Sequence, residues 1–244
     1  MRRAVLAIAC VSLALAGPAE ARGRRHAALT HAHNTHTVVV ELYTSQGCSA
    51  CRTADKLVAQ LADDPGVLAL TFSVDYWDYL GWPDTFAKPE FKARQKAYEL
   101  KMALGDLSTP QIVVDGRSQA AGAETKGVES LIHTARRDKA EGPRLKLSRR
   151  TRLTVGPGRR PPGGAEVWLV RYDPAERQVT VKRGENRGQT IRERNVVRQL
   201  VKLGTWSGRQ KSYAVPDGPE AAGLKTAVLV QAAKGGRILA VLQR

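Results

Sequence analysis

The feature that most constrains the fold is a pair of cysteines, Cys48 and Cys51, placed between a predicted strand and a predicted helix. Residues 38–43 are mostly β-branched or large apolar residues, which favour a strand, and Ser45 and Gly47 interrupt it. After Cys51 the apolar residues recur at helical spacing, so Cys48 is expected near the N-terminus of a helix. Unpaired backbone N–H groups and the helix dipole stabilise a thiolate at that position.

A C-x-x-C motif between a strand and a helix indicates thiol–disulfide exchange. Cys48 is the predicted nucleophile, because it is expected to be the more exposed cysteine, and Cys51 is predicted to resolve the mixed disulfide. Arg52 places a cation beside them, which favours the thiolate. Two other interpretations remain open. The pair can form a structural disulfide, or half of a zinc site, although zinc needs about four ligands and no second C-x-x-C is present.

Residues 1–21 have the organisation of a secretory signal peptide. A basic start precedes an apolar segment at residues 4–16, and a small-x-small cleavage site ends at Ala21. Cleavage there would remove Cys10; the alternative, a lipoprotein with Cys10 lipidated, is disfavoured because the apolar segment continues past it. The mature protein is therefore expected to be extracytoplasmic, in the periplasm or secreted, where disulfides form.

Residues 22–36 are predicted to be a disordered leader. The segment contains four of the five histidines of the chain. Histidine-rich segments can bind metals, and copper handling by these histidines with Cys48 and Cys51 is a weaker alternative, since thiolates suit Cu(I). No carboxylate or sulfur lies among the histidines, so no metal site is predicted there.

Residues 37–141 are predicted to form the first domain, in the order strand, helix, strand, helix, hairpin, helix. Four aromatic residues follow the second strand within residues 76–83. Among them, Trp77 and Trp82 are candidate substrate contacts beside the cysteines, and equally candidates to cover the core. Further along, Thr109 and Pro110 directly precede an apolar segment that is predicted to be a strand.

This order of elements, with C-x-x-C after the first strand, resembles the thioredoxin fold. A second signature of that fold is a cis-proline that opens the third strand and lies against the disulfide, and Pro110 occupies the corresponding position. X–Pro bonds are the peptide bonds that adopt the cis form at low cost. The resemblance implies an α/β domain with a mixed sheet, in which Thr109 and Pro110 hold the backbone of a substrate.

Several segments are also similar to the bacterial secreted family catalogued as domain of unknown function 1223. That family implies a thioredoxin-like domain followed by a β-rich tail, and it has no established activity. Arg52 stands where a proline is common in the family, which favours a more acidic thiol. Ser73 stands where a histidine is common, which removes a proton donor or metal ligand. The similar segments are residues 41–51, 74–82, 93–98, 109–117, 184–188, 195–198 and 204–208.

Residues 144–244 are predicted to form an all-β domain, sandwich-like or barrel-like, because short alternating segments are separated by glycine and proline turns. Within it, residues 184–188 are predicted to be a tight hairpin turn. Residues 22–143 hold 15 basic and 15 acidic side chains, whereas residues 144–244 hold 22 basic and 7 acidic ones. This excess favours an anionic envelope surface as partner, or merely solvates the protein. Nucleic acid is not expected as the partner of a secreted protein.

The sequence thus predicts an extracytoplasmic thiol–disulfide oxidoreductase that needs no cofactor and acts on protein thiols or a redox partner protein. The alternative is a non-catalytic envelope binding protein with a structural disulfide and a basic β-domain. The reduction potential separates these two candidate functions. Structural disulfides have potentials below roughly −300 mV, whereas catalytic disulfides have potentials of about −270 to −120 mV. The predicted catalytic residues are Cys48, Cys51, Thr109, Pro110 and Arg52.

Overall fold

The structure, a computed structural model, describes residues 37–138, 142–149, 151–218 and 223–244. The predicted signal peptide and leader, residues 1–36, lie outside the described residues. No described helix is both long and apolar enough to cross a membrane. The described helices are α1 (Arg52–Leu61), α2 (Pro89–Met102) and α3 (Thr125–Arg137). The strands are β1 (Val38–Thr44), β2 (Val67–Ser73), β3 (Gln111–Val114), β4 (Ser118–Ala121), β5 (Leu145–Ser148), β6 (Arg152–Val155), β7 (Ala165–Asp173), β8 (Arg177–Thr180), β9 (Thr190–Glu193), β10 (Val196–Trp206), β11 (Lys211–Ala214), β12 (Lys225–Ala232) and β13 (Ile238–Gln243).

Eight strands form one mixed sheet in the order β13-β12-β7-β10-β2-β1-β3-β4. β1 and β2 are parallel along their full length, whereas β3 runs antiparallel to β1. β10 joins the sheet beside β2 through one parallel pair, Val196 with Thr71. Strands β7, β12 and β13 then continue the sheet in antiparallel pairing. The expected combination of a mixed sheet with a few helices is confirmed.

Both faces of β1 are buried, which explains why its sequence is an almost continuous apolar run. Successive side chains of a strand point to opposite faces of the sheet. On one face, Val40 and Leu42 pack in a cluster with residues of α1 and α3. On the other, Val39 and Tyr43 belong to a cluster that includes Phe72 and Tyr98. The strand that leads to the cysteines is therefore held on both sides.

The main sheet crosses the predicted domain boundary near residue 142. Four of its strands come from residues beyond that point, and Val170 and Leu229 belong to the same core cluster as Phe72. The described residues after 142 contain strands and turns and no α-helix; three strands make a separate sheet, β11-β6-β5, and two form the hairpin β8-β9. The division into two domains stays a prediction.

A buried ion pair connects the two halves of the chain beneath the sheet. Nε and Nη2 of Arg94 on α2 donate to Glu41 Oε1 on β1, at 3.0 and 2.7 Å. Nη1 of Arg94 donates to Oε1 of Gln231 on β12 at 3.0 Å. Gln231 in turn donates to the hydroxyl of Tyr98 and to the carbonyl of Gly236. One guanidinium thus links the first strand, α2 and a strand near the end of the chain.

Candidate functional site

The two cysteines form a disulfide at the start of a helix. β1 ends at Thr44, a turn follows, and a 3-10 turn at Ser49–Cys51 leads directly into α1. The bond joins Cys48 to Cys51, with their Cα atoms 5.4 Å apart. Cys48 is 1% exposed and Cys51 is 0% exposed. The expectation that Cys48 is the more exposed cysteine therefore rests on a negligible difference, because other residues cover the bond.

The segment Thr109–Pro110 lies against the disulfide. Its peptide bond is cis, and the Thr109 carbonyl oxygen lies 3.9 Å from Sγ of Cys48. The backbone N–H of Gly122 donates to the Pro110 carbonyl at 2.8 Å. A Cβ at Gly122 would lie 2.7 Å from Cβ of Ala54 and 2.9 Å from Cβ of Pro110, so this glycine allows the close approach of α1 and Pro110. The structure therefore places this segment beside the cysteines.

The two candidate tryptophans contact the residues around the disulfide, and both are partly buried. Nε1 of Trp77 donates to the Thr109 hydroxyl at 2.7 Å. Nε1 of Trp82 donates to Oε1 of Gln46 at 3.1 Å. Both indole N–H groups are therefore occupied by the protein, and the tryptophans brace the two segments that flank the disulfide.

A loop from the second half of the chain covers the disulfide. We call residues 184–189, between β8 and β9, the cover loop. Nδ2 of Asn186 donates to the carbonyls of Gln46 and Cys48, at 2.9 Å each, and Asn186 is only 1% exposed. Oε2 of Glu185 accepts from the backbone N–H of Ser49 at 3.1 Å and from its hydroxyl at 2.8 Å. These hydrogen bonds hold the pKa of Glu185 below its usual value.

Arg52 is exposed and also contacts the cover loop. Its Nε donates to the carbonyl of Ser49 at 3.5 Å, and its Nη1 donates to Oε1 of Gln189 in the cover loop at 3.4 Å. The structure therefore places all seven predicted site residues around one disulfide. It adds Glu185 and Asn186, which sequence reasoning missed by treating residues 184–188 as a plain turn. Their only sequence signal was the short glycine-bounded motif shared with the family.

Three buried carboxyl groups surround the turn between β1 and the disulfide. Asp55 follows Cys51 by one helical turn and accepts from the hydroxyl of Thr44 at 2.8 Å. Asp84 accepts from the backbone N–H of Gln46 at 2.7 Å. The side-chain amide of the same glutamine donates to Glu193 Oε2 at 3.1 Å.

Burial is the main cause of the raised pKa values of these three carboxyl groups. It raises the pKa of Asp55 to about 7 and the pKa of Asp84 to about 6. Burial, followed by repulsion from the other two carboxylates, also raises the pKa of Glu193 well above its usual range. The hydroxyl of Ser73 donates to Glu193 Oε1 at 3.2 Å. The site can therefore hold protons near neutral pH behind the disulfide.

Within the part of the chain that the structure describes, no group of three or more histidine, cysteine, aspartate or glutamate side chains is placed to hold a metal ion. The leader histidines of the copper alternative lie outside that part.

The comparisons with known proteins agree with the resemblance seen in the sequence. The model of the family described as "Protein of unknown function (DUF1223)" matches residues 39–231. The chain is also similar to the crystal structure of protein AGR_C_4864 from Agrobacterium tumefaciens, with 27% identity and a TM-score of 0.67, over 87% of this chain and 95% of that one. No curated protein matches. Because the family match spans most of the chain, from β1 to β12, the protein belongs to the DUF1223 family of proteins of unknown function.

Proposed function

We propose that the protein is an extracytoplasmic thiol–disulfide oxidoreductase, and that residues 37–138 form a thioredoxin-like unit. The observation that carries the proposal is the Cys48–Cys51 disulfide at the start of α1, with the Thr109 carbonyl 3.9 Å from Sγ of Cys48. A backbone segment beside the attacked sulfur can pair with a substrate peptide. The apolar segment at residues 4–16 supports export of the chain.

The proposed exchange starts with a substrate thiolate that attacks Sγ of Cys48. A bond forms between the two sulfurs, the Cys48–Cys51 bond breaks, and its electron pair leaves on Cys51 as a thiolate. A second substrate thiolate then attacks the substrate sulfur of the mixed disulfide. The substrate is oxidised to a disulfide, and Cys48 leaves as a thiolate. The reverse sequence oxidises the protein and reduces its partner.

We further propose that Asp55 serves the leaving sulfur in this sequence. Side chains four residues apart lie on the same face of a helix, so Asp55 lies one turn along from Cys51. Its pKa of about 7 allows the carboxyl group to be protonated or ionised close to neutral pH. It can therefore give a proton to the Cys51 thiolate during reduction and take it back during oxidation.

Burial of both sulfurs supports a second candidate, a binding protein whose disulfide is structural. The two candidates are separated by trapping and by potential. In the oxidoreductase, Cys51→Ser accumulates mixed disulfides with protein thiols and Cys48→Ser does not, and the potential lies at about −270 to −120 mV. A potential below roughly −300 mV, with no trapped species in either variant, would establish the structural disulfide.

A further inference from the structure

A concave site lies far from the disulfide. It is a cavity of about 700 Å³ lined by Arg159, Arg160 and Arg237, by residues 161–163, and by Leu239 of β13. β13 is the edge strand of the main sheet, five positions from β1 in the strand order. Since neighbouring strands are about 4.8 Å apart, this places the cavity's strand roughly 24 Å from the strand that leads to the cysteines.

The segment that carries two of the arginines is anchored at both ends. The N–H of Gly158 donates to the Gly208 carbonyl at 3.0 Å, and the N–H of Ala233 donates to the Gly164 carbonyl at 3.1 Å. Between these anchors, residues 161 and 162 are prolines, whose rings fix the backbone angle φ. The backbone around the arginines is therefore preorganised, which lowers the entropy lost when a ligand binds.

The three guanidinium groups have no carboxylate partner among the described residues. The described carboxylates after residue 142 are all engaged elsewhere. Their partners are Lys202 for Glu166, Arg177 for Asp173, Arg192 for Glu176, Ser49 for Glu185, Gln46 for Glu193 and Arg171 for Asp217. The cavity thus concentrates positive charge that the described chain does not neutralise. Its concave, low-dielectric wall strengthens the electrostatic field of that charge, because such walls focus field lines.

We propose that this cavity binds a small, multiply charged oxyanion of the phosphate class. Guanidinium groups bind phosphate oxygens through paired N–H donors, which suits three arginines converging on one ligand. The volume falls in the range of sites for small molecules. The ligand is either a soluble phosphorylated compound or the phosphate headgroup of a lipid. This site accounts for three of the 22 basic residues in residues 144–244.

Pyrophosphate and phosphatidylglycerol vesicles are the two probes, applied to the full chain at constant ionic strength. We expect saturable binding of at least one probe by calorimetry or vesicle sedimentation. The triple variant R159Q/R160Q/R237Q should weaken it at least tenfold, and Arg237→Gln alone at least threefold. A control variant, R137Q/R152Q/R192Q, changes the net charge equally on exposed arginines outside the cavity and should weaken binding less than twofold.

Each result either tests the proposal or identifies the kind of ligand that the cavity binds. Pyrophosphate binding that depends on the three arginines supports a soluble ligand. Vesicle binding that pyrophosphate displaces, with the same dependence, supports a headgroup. The proposal is overturned if neither probe binds, if the control variant weakens binding as much as the cavity variant, or if Arg237→Gln has no effect. All of these readouts are independent of the disulfide.

Discussion

The carboxyl group of Asp55 is buried one turn behind Cys51, and only one of its oxygens is hydrogen-bonded. Oδ1 accepts from Thr44, whereas Oδ2 has no partner among the described residues. An ionised carboxylate in such a place loses its hydration without full compensation, so the protonated form is favoured. The folded protein therefore retains a proton on Asp55 at pH values where the unfolded chain has released it.

This retention predicts a pH-dependent stability. Between the unfolded pKa of 3.8 and the folded pKa of about 7, the folded state binds more protons, so the free energy of unfolding falls as the pH rises. The contribution from Asp55 is of the order of 4 kcal/mol between pH 4 and pH 8. Asp55→Asn should remove this contribution and leave the part of the pH dependence that comes from Asp84 and Glu193, as measured by urea unfolding of the oxidised protein at several pH values.

The exposed Asp106 provides the matched control, because Asp106→Asn removes the same charge at the surface. Its unfolding free energy should follow the wild-type pH profile. If Asp55→Asn also ran parallel to the wild type, Asp55 would not be the group that carries the proton.

Prediction at the level of single residues was possible where the signal is local. The spacing of Cys48 and Cys51, and the Thr-Pro pair before an apolar strand, are short patterns with a direct physical meaning. The carboxyl groups of Asp84 and Glu193 gave no such signal, because an acidic residue is ordinarily exposed. Their burial depends on contacts with Gln46 that are 38 and 147 positions apart in the chain.

At the level of elements, the hairpin β8-β9 holds a loop against the segment that carries the disulfide. Its cover loop contributes two hydrogen bonds from Asn186 and two from Ser49 to Glu185. Because Cys48 is 1% exposed, a thiol can reach its Sγ only after a covering segment moves, and we expect the cover loop to be that segment. The rate of reduction is then set partly by the free energy needed to open the loop.

We therefore expect Asn186→Ala to accelerate reduction of the disulfide. Each hydrogen bond contributes about 0.5–1.5 kcal/mol, so the loss of two lowers the cost of opening enough for roughly a tenfold faster reaction. The measurement is the rate of reduction by dithiothreitol under pseudo-first-order conditions.

The control is Gln178→Ala, since Gln178 is an exposed residue in β8 of the same hairpin. This variant should leave the rate of disulfide reduction unchanged. Equal rates for Asn186→Ala and the wild type would mean that reductant reaches Cys48 without displacement of the loop.

For the whole molecule, the Arg94 guanidinium is one of the buried connections between the two halves of the chain. Its side chain is 4% exposed, and that of its partner Glu41 is 1% exposed. Removing one member of a buried pair leaves the other charge uncompensated, at a cost of about 3–5 kcal/mol. Arg94→Met should lower the free energy of unfolding by that amount, measured by guanidinium chloride denaturation.

Lys92→Met removes a positive charge from the same helix at a side chain that is 48% exposed. It should change stability by less than about 0.5 kcal/mol. A small effect of Arg94→Met, comparable with that of Lys92→Met, would show that the connection is not needed for stability.

The sequence identified the strands on both sides of residue 142 but not how they combine. The alternation of apolar and polar residues within a strand shows which face of the strand is apolar. It carries no information about which other strand pairs with its edge. The parallel pairing of β10 with β2 has a register of one residue pair, Val196 with Thr71. The wide sheet was therefore beyond prediction from local patterns.

The distance along the chain between the disulfide and its cover has a consequence for biosynthesis. Asn186 comes 138 positions after Cys48. A polypeptide is made from its N-terminus, so both thiols emerge long before the residues that will enclose them exist. Oxidants and folding catalysts therefore meet these cysteines most readily on the incomplete chain, and this period ends when the C-terminal half has folded over them.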